Sequence, residues 1–189
     1  MNKRTGLIPF FCFLIVVAAA LFAGTGCRRA HQSPEDPTVA IPLPTPPSID
    51  AASLDTLLPP DSIRAIDAPQ FINTDQAQDM APDERVIGIA INGDSRAYSL
   101  NILSSHEIVN DVVGGEPVAI TWCPLCYSAL VFIREVNGRS LAFGVSGKLL
   151  DNTLVMFDRD TDSLWSQLYG GAISGDLSGT TLAVFPSVL

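Results

Sequence analysis

Three dipeptides limit what this chain can fold into more than any other feature: Asn92-Gly93, Gly114-Gly115 and Asn137-Gly138. Each divides a stretch of β-forming residues, "VIGIAINGDSRAYSL", "HEIVNDVVGGEPVAITW" and "ALVFIREVNGRSLAFGV". Asn and Gly tolerate the positive φ that a two-residue hairpin turn requires, so each dipeptide predicts two antiparallel strands joined tightly. "LVMFDRDTDSLWSQL" adds two apolar runs around a polar turn, and "AISGDLSGTTLAVF" adds further Gly and Ser punctuation. The expected fold is mainly β, an antiparallel hairpin meander or an open barrel. One helix is expected over Leu100 to Ser105, and Asp61 to Pro82 carries no assignable pattern. The β domain is placed at residues 61–189, long enough to bury a core without covalent staples. The chain stops at "FPSVL", soon after an apolar run, so its last element is expected to lack a strand partner.

The N-terminal part is of a different kind. Lys3 and Arg4 precede an uncharged stretch from Thr5 to Gly26, with an unbroken apolar run from Phe10 to Ala23 and then "GTGC". A basic start, an apolar middle and small residues before a cut are the layout of a secretory signal, assigned here to residues 1–26. Cys27 follows the small residues, as in the lipobox that it resembles. In bacterial lipoproteins that cysteine is lipidated and becomes the mature N-terminus. Gly24 departs from the Leu usual at its position. An uncleaved anchor is the alternative, because the uncharged stretch approaches spanning length. Either reading places the remainder outside the cytoplasm, attached to a membrane.

Residues 27–60 read as a spacer. Pro34, Pro37, Pro42, Pro44, Pro46, Pro47, Pro59 and Pro60 favour an extended, semi-rigid chain. Without Lys3 and Arg4, which leave with the signal, the formal charge of −9 becomes −11. Phosphate backbones would repel such a surface, so nucleic acid is excluded as a partner. The sequence contains no Gly-rich phosphate loop, no H-E-x-x-H and no G-x-S-x-G, and no cofactor is called for.

The chemistry is concentrated in "ITWCPLCYSAL", residues 120–130, which holds the only cysteines beyond residue 27. Cys123 and Cys126 admit three readings. As a structural clip the spacing is poor: a four-residue loop contributes roughly 2 kcal/mol, against about 4.7 for a hundred-residue loop. As a zinc site it lacks a second knuckle, since zinc takes four ligands, His31 lies in the spacer and only His106 remains. Two thiolates and an imidazole would instead suit a cuprous ion. As a redox pair it gains from register. With Gly114-Gly115 as turn residues, Val113 faces Glu116 and Ile108 faces Thr121, and the same register continued sets His106 opposite Cys123. Opposed side chains have Cβ atoms about 4.5–5.5 Å apart. An imidazolium there would lower the Cys123 pKa and supply the thiolate. The redox reading therefore names Cys123 as attacking group, His106 as its activator and Cys126 as the resolving cysteine. A thioredoxin-type motif opens a long helix, whereas the residues after Cys126 read as β, so the scaffold would be a β one.

Two other clusters carry less. "DRDTD", Asp158 to Asp162, spaces its acids like a calcium loop but has Ser163 at loop position six and Tyr169 at position twelve. It reads as a polar hairpin turn. "FGVSG", Phe143 to Gly147, has the glycine spacing of a close backbone turn, and Ser146 has no histidine within motif distance.

"RAYSLNILSSHEIVNDVVGGEPVAITWCPLCYSALVF", followed by "FGVSGKLLDNTLVMFDRDTDSLWSQL", resembles the family catalogued as domain of unknown function 3179. The likeness runs from about Val86 to the C-terminus and rests on HE-x-x-ND, CPLC and SLW-x-Q. Similar members carry selenocysteine within the C-x-x-C, which implies chemistry at Cys123 or Cys126. Two departures follow: Tyr127 stands where a glycine commonly follows the second cysteine, and the family domain usually continues further, so this chain is expected to be C-terminally short. The reading that results is a membrane-tethered, extracytoplasmic β domain with a thiol–disulfide role and an unidentified redox partner protein. The alternatives are a soft-metal module, for copper or zinc, and an inert disulfide. Full-length protein expressed with its leader is expected to fractionate with membranes and to lose that behaviour on Cys27→Ala. An unchanged membrane fraction with the N-terminal peptide still attached would identify an uncleaved anchor.

Overall fold

The computed structural model describes residues 41–189. The signal, Cys27 and the first part of the spacer lie outside the described residues. The strands are β1 (Ile41–Pro42), β2 (Asp55–Thr56), β3 (Val86–Ile91), β4 (Asp94–Ser99), β5 (Ile108–Val113), β6 (Glu116–Cys123), β7 (Ser128–Ile133), β8 (Glu135–Val136), β9 (Arg139–Ser140), β10 (Phe143–Leu150), β11 (Thr153–Asp158), β12 (Leu164–Ser166), β13 (Gly171–Ser174) and β14 (Ala183–Phe185). One helix, α1 (Leu100–His106), stands between β4 and β5. The fold is mainly β, as expected. Five strands form one open sheet in the order β1-β14-β7-β6-β5, and five form a second, β13-β12-β11-β10-β2, with all strand pairs antiparallel.

Two of the three dipeptides turn as expected. Asn92-Gly93 joins β3 to β4 with Ile91 opposite Asp94. Gly114-Gly115 joins β5 to β6 with Val113 opposite Glu116 and Ile108 opposite Thr121. All four turn residues have positive φ. Asn137-Gly138 does something else: it closes a ribbon of two residues per strand, β8 on β9, and the long runs on either side go to different sheets. The hairpin that builds the second sheet is β10–β11, turned at Asp151-Asn152 with φ of 49° and 62°. Asp and Asn adopt the left-handed region more readily than other non-glycine residues.

Successive strand residues point to opposite faces, and β6 has both faces covered. Val118, Ile120 and Trp122 join Ile87, Ile89 and Ile91 of β3 and Leu100 and Leu103 of α1. Ala119 and Cys123 point the other way, into a cluster with Phe143 and Val145 of β10, Leu154 and Met156 of β11 and Trp165 of β12. The first sheet is thus a middle layer, which is why "VAITWC" reads as a continuous apolar run rather than an alternating one.

The spacer contributes more than its prolines suggest. Its end supplies β1, which pairs with β14, and β2, which pairs with β10. Pro46 is buried, and a Cβ at Gly171 would come within 2.7 Å of its Cγ. The folded part therefore begins before residue 61. The expectation for the last element is corrected by the same pairing: β14 is flanked by β1 on one side and β7 on the other.

Two adjacent residues of β5 fasten the layers. Asn110 faces the second sheet, where its Oδ1 accepts the Phe143 N–H at 2.9 Å and its Nδ2 donates to the Phe143 carbonyl at 2.8 Å. Its Nδ2 also donates to Asp67 at 2.8 Å. Asp111 faces the other way and accepts from Arg96 at 2.7 and 2.8 Å and from the Tyr98 hydroxyl at 2.8 Å, both on β4. Asn110→Ala is expected to destabilise the fold by roughly 2–4 kcal/mol, because it strands a buried N–H and a buried carbonyl. Urea unfolding measures it, and a loss below about 1 kcal/mol would show that water takes over both bonds.

Candidate functional site

Cys123 closes β6 and Ser128 opens β7, and the two are direct cross-strand partners. Pro124 to Tyr127 make the connecting turn, so the C-x-x-C forms the tip of a hairpin. The turn folds Cys126 back until its N–H donates to the Cys123 Sγ at 3.4 Å. Tyr127 completes it in the left-handed region at φ 55°, where glycine has the conformational advantage. Its ring lies edge-on to Trp122 with centroids 5.0 Å apart, a contact that glycine could not make.

The two cysteines are free thiols in unlike surroundings. Cys123 is 1% exposed, whereas Cys126 is partly open to solvent. Burial pushes the Cys123 thiol up and the neighbouring Cys126 adds to the effect, against the backbone N–H groups of Cys126 and Leu154, which pull it down. This direction is opposite to the lowering expected of Cys123 as attacking group.

The expected activator, His106, is bonded elsewhere. Ser99 caps α1 by accepting the Asn101 N–H at 3.1 Å, and the helix runs through His106, one residue beyond the expected Ser105. Glu107 then ends the helix at φ 60°. The helical turn takes His106 out of the strand, so the β5–β6 register does not extend to it. The bond from the Trp122 N–H to the Glu107 carbonyl, 2.8 Å, lies beyond the last paired residues, Ile108 and Thr121. The His106 Nδ1 sits 2.7 Å from the Arg64 carbonyl and makes no hydrogen bond to either sulfur.

What approaches the Cys126 sulfur is a chain of neutral side chains. Cys126 Sγ lies 3.0 Å from Ser128 Oγ, which donates to Gln167 Oε1 at 2.9 Å. Gln167 Nε2 donates to Thr121 Oγ1 at 2.9 Å and to the Ser128 carbonyl at 3.2 Å, and Thr121 Oγ1 donates to the Leu130 carbonyl at 2.7 Å. Thr121 and Gln167 are fully buried. Sequence reasoning passed over Ser128, Thr121 and Gln167. The one available signal was Gln167, the last residue of SLW-x-Q; its distance of 41 residues from Cys126 hid the link.

The other candidates are structural. Asp158 accepts from the N–H groups of Asp160 and Thr161 and from Trp165 Nε1 at 2.9 Å, which fastens "DRDTD" as a turn. Ser146 is buried in the β10 bulge and donates to the Val155 carbonyl. Next to it Gly147 has φ 72°, and a Cβ there would lie 2.1 Å from the Leu58 carbonyl oxygen. Among the described residues no group of three His, Cys, Asp or Glu side chains is placed to hold a metal ion, and no helix is long and apolar enough to cross a membrane. Cys27 lies outside the described residues.

A family model described as "Protein of unknown function (DUF3179)" matches residues 60–189. The matched stretch contains both cysteines and all three residues of the polar chain. No curated protein and no solved structure gives a significant match.

The burial difference has a direct consequence. In reduced, folded protein, alkylation resolved by peptide mass spectrometry is expected to modify Cys126 at least about tenfold faster than Cys123, the margin set by local opening of the turn. Equal rates would show that the turn does not shield Cys123.

Proposed function

The chain belongs to the DUF3179 family, and from that premise we propose that it is a thiol–disulfide redox protein in which Cys126 attacks and Cys123 resolves. The observation that carries the reading is the stacking of a partly open thiol over a buried one at a hairpin tip, with the Cys126 N–H already aimed at the Cys123 sulfur. Incoming disulfides meet Cys126 first. The Cys126 thiolate attacks one sulfur of the partner disulfide, forms a mixed disulfide and releases one partner thiolate. The Cys123 thiolate then attacks Cys126 Sγ, closes the intramolecular disulfide and releases the second partner thiolate. The two protons lost by the cysteines go to the two partner thiols, and the partner gains two electrons. A thiol reductant reverses the sequence and restores the dithiol.

Backbone N–H groups of Cys126 and Leu154 favour negative charge on Cys123 when it becomes the attacking or leaving thiolate. They offset part of the burial that otherwise holds it protonated. The surroundings of the pair suit this chemistry better than a metal. Among the described residues no third His, Cys, Asp or Glu joins the two sulfurs, and the polar side chain bonded to Cys126, Ser128, belongs to a hydrogen-bonded chain and not to a ligand set. The apolar leader and Cys27 support an extracytoplasmic, membrane-attached location, where disulfide exchange is common chemistry.

With an aromatic disulfide reagent, Cys123→Ser is expected to accumulate a stable mixed disulfide at Cys126. Wild type is expected to release both halves of the reagent, and Cys126→Ser to react far more slowly. Stoichiometric binding of a cuprous ion by reduced wild type, with no exchange at Cys126, would overturn the redox reading in favour of a soft-metal module.

A further inference from the structure

The chain of side chains beside Cys126 has a direction. Two backbone carbonyls, which can only accept, set it. The Leu130 carbonyl takes the Thr121 hydroxyl hydrogen, so Thr121 Oγ1 is left as an acceptor toward Gln167. The Ser128 carbonyl accepts from the same Gln167 nitrogen at 3.2 Å. Both neighbours therefore need Nε2 on that side, and the amide can sit only one way round. Its Oε1 then faces Ser128 and takes the Ser128 hydroxyl hydrogen at 2.9 Å. Ser128 has one hydrogen, now engaged. Toward Cys126, at 3.0 Å, Ser128 Oγ can only accept, and the hydrogen between them belongs to the sulfur.

We infer that Gln167 and Ser128 are positioning residues that favour the dithiol over the disulfide, by presenting Cys126 with an acceptor that only an S–H group can use. Oxidation removes that hydrogen. The Ser128 oxygen then loses its donor and cannot turn its own hydrogen to the disulfide sulfur without leaving Gln167 Oε1 unpaired in a buried site. A half-satisfied buried network is costly, so the imbalance falls on the oxidised form. The relay thus raises the reduction potential of the Cys123–Cys126 pair and favours the reverse direction of the exchange, in which the protein disulfide takes electrons from a partner dithiol.

Direction follows from the side chains and not from charge. Within the chain Ser128 of β7, Thr121 of β6 and Gln167 beyond β12 are all neutral, and the titratable group bonded to Cys126 is Cys123. A water in place of Gln167 could reorient with the oxidation state, whereas an amide fixed by two carbonyl-anchored contacts does not.

The inference rests on the redox reading of the pair, and one measurement separates the two. Full-length protein is equilibrated in glutathione buffers of graded disulfide-to-thiol ratio, and the Cys123–Cys126 disulfide is quantified by peptide mass spectrometry. Each turnover breaks two protein S–H bonds and the glutathione S–S bond, and forms one protein S–S bond and two glutathione thiols. Ser128→Ala, which removes the acceptor and keeps the strand, is expected to shift the equilibrium constant about fivefold toward the disulfide, the worth of one ordinary hydrogen bond. Gln167→Met, which frees the Ser128 hydroxyl to follow the oxidation state, should shift it in the same direction. The double variant should go no further than Ser128→Ala alone, since both act through one bond. Ser128→Thr, which keeps the hydroxyl, should restore the wild-type constant. An unchanged constant in Ser128→Ala, or additive shifts in the double variant, would overturn the relay while leaving the redox pair in place. A wild-type protein that forms no disulfide at any ratio would overturn the redox reading and the relay together.

Discussion

The structure depends on two side chains that stand next to each other on β5 and point in opposite directions. Asn110 replaces a missing ladder where β5 meets β10: its amide makes to Phe143 the same paired bonds that a neighbouring strand would make. Asp111 does the equivalent toward β4, but with charge, through Arg96 and Tyr98. Burial pushes the Tyr98 hydroxyl up, and its bond to Asp111 adds to that, so it stays a donor. A sheet buried on both faces has no solvent to meet the polar groups at its border. It needs side chains that complete the bonding on each side, and an Asn-Asp pair on a two-residue period supplies one for each face.

The same alternation decides what surrounds the cysteines. On β6, Thr121 and Cys123 share the face that looks toward the second sheet, and on β7 Ser128 and Leu130 share it. Any polar group on that face is inside the core and needs a partner there. Gln167, arriving after β12 on the second sheet, provides it. The hairpin tip is thereby tied to the opposite sheet by uncharged bonds alone, and the cysteines sit where a rigid scaffold meets an exposed turn. Leu125 and Tyr127 are exposed on either side of Cys126. Arrangements of this kind, reactive groups on a short connection held by sheet on both sides, combine access with fixed geometry.

Much of this was legible from residue order. The turn dipeptides gave the hairpins at Asn92-Gly93 and Gly114-Gly115 with their register, because a two-residue turn leaves one pairing for the strands it joins. The polar turn at Asp158 to Asp162 was legible for the same reason, since local φ demands are written in local residue types, whereas the glycine spacing of "FGVSG" marks a bulge within β10 and not a turn. The glycine expected after Cys126 is explained by the left-handed Tyr127.

What tertiary structure alone decided was everything that joins residues far apart. Asn137-Gly138 is a sound turn signal, yet whether the runs beside it pair with each other or part to different sheets depends on which partners bury more surface. The proline-rich stretch reads as a spacer because prolines forbid local ladders, but they do not forbid short edge strands such as β1 and β2. His106 followed the β register on paper and a helix in the molecule, since a Ser99 cap and a left-handed Glu107 outweigh the continuation of a strand. Gln167 is the plainest case. Sequence by itself placed Cys123 and Cys126 within one turn of each other, because their spacing is local. Only the meeting of two sheets could bring a glutamine 41 residues away into the bonding around Cys126, because that contact is made across a core and leaves no period in the chain.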